Sequence, residues 1–127
     1  MSQKTIIHQF DPVLYPFKLW VSITDDLETI SERFIDHKSG KELSKDNPDK
    51  TMAFTQNVEQ KSDCLIGAII VFRRKGYCSM KIIAHEATHA ARMLWDHVGE
   101  DCTGMEADAY LVGWIAECCE KVKLNKF

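Results

Sequence analysis

Several features that would place the chain at once are missing, and each absence narrows its class. No apolar run approaches the roughly 20 residues that span a bilayer; the longest, Leu65 to Phe72, falls far short. The N-terminal stretch MSQKTIIHQFDP lacks the apolar core of a secretory leader. Together these give the expectation of a cytoplasmic protein with no membrane partner. No C-x-x-C spacing occurs among the cysteines Cys64, Cys78, Cys102, Cys118 and Cys119. Their odd number and the adjacent pair exclude a disulfide framework and a four-cysteine zinc site. Free thiols, buried or half-buried in a reducing compartment, are expected instead. There is no excess of positive charge: the formal net charge is -3, which argues against a nucleic-acid partner held by bulk electrostatics. The one basic run, Arg73-Arg74-Lys75, is too short for a nucleic-acid patch and reads as a solvated turn. No internal repeat or low-complexity tract is visible.

What is present suits a folded protein. The 127 residues are 45% hydrophobic and 28% charged, the composition of a globular chain, and residues 1–127 are expected to form one domain. A chain of this length buries roughly two thirds of its unfolded surface. It does not need a metal merely to fold, so a metal site is free to be functional.

Hydrophobic periodicity sets out the elements. Phe17, Leu19, Val21 and Ile23 alternate with Lys18, Trp20 and Ser22, a strand pattern. In TDDLETISERFIDHKSG, Thr24 or Asp25 can cap a helix, Leu27, Ile30, Phe34 and Ile35 share a face, and Gly40 ends it. KELSKDNPDKT is a surface loop. MAFTQNVEQ and the β-branched run in SDCLIGAIIVFRRKG read as strands. An active-site helix is expected over about 79–98 and a second helix over about 104–123, with Thr103 as cap and Glu106 placed for a capping box. The order β-α-β-β-α-α implies an α+β fold, a small antiparallel sheet backed by helices.

The chemistry concentrates in HEATH, residues 85–89. Residues four apart share a helix face, about 5–6 Å apart at Cβ, so His85 and His89 can converge on one Zn2+ ion. Glu86 points about a quarter-turn away, beside the metal rather than at it, which suits a general base acting on water. Ala84, Ala87, Ala90 and Ala91 let a strand or substrate approach closely. A zinc site needs a third protein ligand and one open position. Arg92 and Trp95 stand where the glycine and third histidine of the metzincin pattern belong, so that pattern is excluded. Asp96 and His97 lie about 10 Å along the helix from His89, too far for the same ion. The tight link from Gly99 to Thr103 folds the second helix back antiparallel, making Glu106 the best third ligand; its competing role is the capping box.

HExxH on one helix and a glutamate on the next resemble a zinc metallopeptidase of the gluzincin type. The length and compact spacing are similar to the minigluzincins, small prokaryotic and phage-associated members. The resemblance covers about 45 residues, Ser79 to Lys123, with LIGAIIVF as the strand upstream. It implies zinc held by His85, His89 and Glu106, Glu86 as general base, and a peptide or protein substrate. Many gluzincins carry an aspartate four residues after the ligand glutamate; Tyr110 stands there, and Asp108 points to another face. Tyr77, His97 and Tyr110 stay open as oxyanion stabilisers, and a tyrosine hydroxyl or backbone carbonyl as the partner orienting His85. LIGAIIVF either presents an edge along which an extended peptide pairs or is an ordinary buried core strand. The alternative is a non-catalytic binding or regulatory module, metal-stabilised or metal-free, with a relic HExxH helix.

Overall fold

The computed structural model describes residues 5–43, 51–102 and 104–127. In chain order the elements are β1 (Ile7–Phe10), β2 (Lys18–Ile23), α1 (Leu27–Arg33), β3 (Phe34–Asp36), β4 (Ala53–Gln60), β5 (Ile66–Phe72), a 3-10 turn at Lys75–Tyr77, α2 (Met80–Val98) and α3 (Glu106–Leu124). The fold is α+β, a sheet backed by helices. The sheet runs β1-β2-β5-β4-β3 and is mixed rather than antiparallel throughout. β2 and β5 are parallel, in register from Lys18 opposite Gly67 to Ile23 opposite Phe72; the other neighbours are antiparallel. The parallel pair arises because α1, β3 and β4 intervene and return the chain to the end where β2 began.

Alternation along the strands divides the interior in two. Leu19, Val21, Ala68, Ile70 and Phe72 face α2 and α3, while Trp20, Ile69 and Val71 face the layer built from Leu27, Ile30 and Phe34. β5 is therefore buried on both faces, which explains its continuous apolar run. Gly67 has a specific reason: a Cβ there would lie 2.0 Å from the carbonyl oxygen of Lys18.

The first helix differs at both ends from its sequence pattern. Asp26 is the cap, accepting the Thr29 N–H at 3.1 Å, whereas Thr24 accepts the Asp26 N–H and Asp25 binds Arg73 at 2.7 Å. The helix stops at Arg33, not Gly40. Phe34 turns extended, pairs with Gln60, and packs edge-on against Trp20 at 4.8 Å. Ladder bonds to β4 and a slot beside an indole outweigh the helical spacing that Phe34 and Ile35 share with Leu27. β1 and β3, both short, complete the sheet at its two ends.

The two long helices follow the sequence closely. Ser79 accepts the Ile82 N–H to cap α2, and Gly99 closes it in the left-handed region at φ 75°. α3 begins differently. Its cap is Met105, which makes no side-chain cap bond, so Glu106 is the first helical residue and not the third. Thr103 lies outside the described residues. The capping-box role of Glu106 is thereby removed; the carboxylate that reaches back is Asp108, accepting the Gly104 N–H at 3.4 Å.

Cys78, Cys118 and Cys119 sit in the core, with Cys102 half-buried, but Cys64 is exposed. Burial pushes the Cys118 thiol up to about 12 and raises those of Cys78 and Cys119 as well. None of the described helices is long and apolar enough to cross a membrane.

Candidate metal centre and catalytic helix

α2 lies across β4 and β5 and meets them with small residues. Ala87, Ala90 and Ala91 are buried on its inner face with Ile83, Glu86 and Leu94. The opposite stripe, Lys81, His85, His89 and Arg92, faces solvent. Helical spacing alone puts the two imidazoles side by side, and they meet: the Nε2 atoms are 3.1 Å apart, with the rings edge to face at 4.7 Å. Two nitrogens each 2.0–2.1 Å from a tetrahedral zinc would stand about 3.3 Å apart, so the pair spans two adjacent corners of such a site. The same spacing also fits one ring donating a proton to the other.

Glu86 faces inward and is 5% exposed. Thr55 of β4 donates from its hydroxyl, with Glu86 Oε2 at 3.2 Å and the Glu86 main-chain carbonyl at 3.3 Å. A strand residue thus fixes the carboxylate on the inner side of α2, between helix and sheet. Thr55 carried no sequence expectation. The available signal was the period of two in β4, which puts Ala53, Thr55 and Asn57 on the face toward α2. Asn57 is buried there, and its Oδ1 has no hydrogen-bond partner among the described residues. His85 and Glu86 together line an open cleft of about 320 Å³ with Met52, Ala53, Lys81 and Ile82.

Glu106 is not brought into this group. Among the described residues no set of three or more His, Cys, Asp or Glu side chains is arranged to hold a metal ion. The donor set that fits zinc is the histidine pair. Glu106 is exposed, and no hydrogen bond or ion pair engages it among the described residues. The residue that ties α3 to α2 is Asp108, 5% exposed. It accepts from Trp95 Nε1 at 2.9 Å and Arg92 Nη2 at 3.3 Å. Arg92 and Trp95 lie three and six residues past His89, about 4.5 and 9 Å of helical rise, so this clasp ties the first turn of α3 to the part of α2 beyond the second imidazole. Asp108 faces α2, while Tyr110 is 74% exposed. The ring contacts of His97 are with Phe17 and His37, two turns past His89, and Tyr77 lies under the Arg74 guanidinium.

The open sheet edge is also elsewhere than the sequence pattern implies. β5 is hydrogen-bonded on both sides, by β2 and β4, so LIGAIIVF presents no edge. β3 covers only Val58–Gln60 of β4. At Asp36 the chain turns away: Asp36 accepts the Gly40 N–H at its carbonyl and the Ser39 N–H at its carboxylate, 2.8 and 2.9 Å. Among the described residues no strand pairs with Ala53–Gln56 on that side. This free half-strand begins at the cleft and carries Thr55. The C-terminal Phe127 is at the other end of the sheet, stacked on His8 of β1 at 4.6 Å.

These features define a class by geometry: an α+β domain with an HExxH helix laid over a strand whose outer edge is partly open. Comparison with protein-family models, curated proteins and solved structures found no match.

Proposed function

We propose that the chain is a zinc-dependent metallopeptidase of the gluzincin type, with the histidine pair as its metal-binding core. The observation that carries this reading is the 3.1 Å approach of the His85 and His89 Nε2 atoms, next to a buried carboxylate that a strand hydroxyl holds in place. Two imidazoles at that distance, with Glu86 beside them and not among them, divide the labour of hydrolysis between binding and proton transfer. A bound zinc would polarise the scissile carbonyl and make water acidic enough to attack near neutral pH. Glu86 accepts a proton from the attacking water and returns it to the leaving nitrogen. Thr55 holds the Glu86 carboxylate at the wall of the cleft. The free edge at Ala53–Gln56 supplies backbone donors and acceptors along which an extended peptide can lie as an added strand. Glu106, exposed and uncommitted on the helix that Asp108 anchors, is the residue reserved for the third protein position.

A second reading has its own support. With only two donors grouped among the described residues, the hairpin also suits a binding or regulatory module, in which one histidine simply donates to the other. Metal analysis, chelator-reversible cleavage of a peptide library, and two variants separate the readings. The peptidase reading expects stoichiometric zinc, cleavage removed by chelator and restored by zinc, full zinc but no cleavage in Glu86→Gln, and strongly reduced zinc in Glu106→Ala. Protein purified with zinc present but without stoichiometric metal would overturn it. Unchanged zinc in Glu106→Ala would move the third position to another residue.

A further inference from the structure

Lys81 stands four residues before His85 on the solvent-facing stripe of α2 and lines the same cleft. Four lysines of the described surface are paired, Lys18 with Asp11, Lys38 with Asp96, Lys61 with Glu42 and Lys121 with Glu117; of the lysines without an ion pair among the described residues, Lys81 is the one that lines this cleft. The next cation along the stripe, Arg92, is committed to Asp108. Lys81 has no ion-pair partner among the described residues. The remaining cleft walls near it, Met52, Ala53 and Ile82, carry no charge, and the one carboxylate of the cleft, Glu86, is buried and turned to Thr55. An acidic protein, of formal net charge -3, thus presents an uncommitted ammonium one helical turn from its paired imidazoles.

From this placement we infer that Lys81 determines specificity, selecting substrates with a carboxylate close to the scissile bond. The inference rests on the peptidase reading for the position of that bond. One helical turn is about 6 Å of rise over four residues, and an extended peptide advances about 3.3 Å per residue. The carboxylate therefore belongs within about two residues of the bond, as an Asp or Glu side chain or as the free C-terminus of a short peptide. An exposed ion pair of this kind is worth at most about a fivefold preference over a neutral isostere, and the preference weakens as salt rises.

The test compares wild type, Lys81→Met and Lys81→Glu on peptides that differ only by Glu or Gln at the two positions either side of the bond. Matched peptides ending in a free carboxylate or an amide distinguish the two sources. Wild type is expected to favour the carboxylate about two- to fivefold in kcat/KM at one position, Lys81→Met to bring the ratio near one, and Lys81→Glu to invert it. Binding of the same peptides to Glu86→Gln, with and without Lys81→Met, reads the preference independently of turnover. Cleavage without discrimination overturns the inference and leaves the peptidase reading standing. Discrimination in binding without any cleavage supports the carboxylate site and overturns the peptidase reading. Neither cleavage nor discrimination in binding overturns both.

Discussion

Replacing Asp108 by alanine should cost about 3 kcal/mol of stability, and the sum follows from the contacts it makes. The bond from Trp95 Nε1, 2.9 Å and buried on both sides, is a hydrogen bond to a charged acceptor, worth about 1.5–3 kcal/mol, and its loss leaves an indole N–H dry and unpaired. The Arg92 contact is longer, at 3.3 Å, and the guanidinium side chain is 46% exposed, so screening limits it to about 0.5 kcal/mol. The Gly104 N–H at 3.4 Å adds about 0.5 kcal/mol at most. With a urea dependence of about 2 kcal/mol/M, the unfolding midpoint falls by about 1.5 M. Asp108→Asn should lose less than half as much, since its amide oxygen can still accept from Trp95 while its NH2 faces two other donors. Circular dichroism against urea measures both. A midpoint for Asp108→Ala within about 0.3 M of wild type would refute the reasoning. Equal losses for Ala and Asn would show that charge, not the indole bond, carries the clasp. Because the clasp holds the helix that bears Glu106, the alanine variant should also bind zinc more weakly under conditions where it is still folded.

Further predictions concern the strand under the helix, the thiols and the close strand contact. Thr55→Val removes the hydroxyl that holds Glu86 and should lower kcat about 10–100-fold with zinc content retained, Thr55→Ser restoring most of it; unchanged kcat in the valine variant would show that Glu86 is held by its packing alone. Thiol titration of the native protein should modify Cys64 rapidly, with Cys78, Cys118 and Cys119 silent until denaturant is added, because burial both shields these thiols and raises their pKa. Rapid native modification of the three core thiols would contradict their placement. Gly67→Ala should destabilise by about 3 kcal/mol or prevent folding, given the 2.0 Å approach to the Lys18 carbonyl; a thermal midpoint near wild type would mean that β2 and β5 can part without loss.

The parts of the molecule legible in the sequence are those whose signal is local. α2 declares itself through a serine cap, a 3.6-residue stripe and a closing glycine, and the meeting of His85 and His89 follows from spacing on one rigid element. β5 is legible because burial on two faces leaves a run of β-branched residues. The parts that depend on distant partners were not legible. β3 has three residues, and nothing within Phe34–Asp36 says that Val58–Gln60 will be there to pair with it. The parallel direction of β2 against β5 is a property of the route between them. α3 begins at Glu106, two residues later than its pattern suggests, with Met105 as an N-cap that makes no side-chain bond and Asp108 accepting the Gly104 N–H. Glu106 stands outside the grouped donors because Asp108, two residues and about 200° further round the helix, is the α3 carboxylate that faces α2.

The short turn at Asp36 has a consequence beyond the fold. If the chain ran straight on past His37 it would seal the outer side of β4 from Gln56 back to Ala53; the reversal held by Ser39 and Gly40 works as a doorstop. A slot kept ajar in this way does not discriminate on its own account, because amides are common to every polypeptide. Crowded or unfolded neighbours, including other copies of this molecule, would find the same opening. Among the described residues, access along this stretch is thus set by a single reversal of the backbone, and a change that closes the opening to neighbouring copies should also exclude a guest strand.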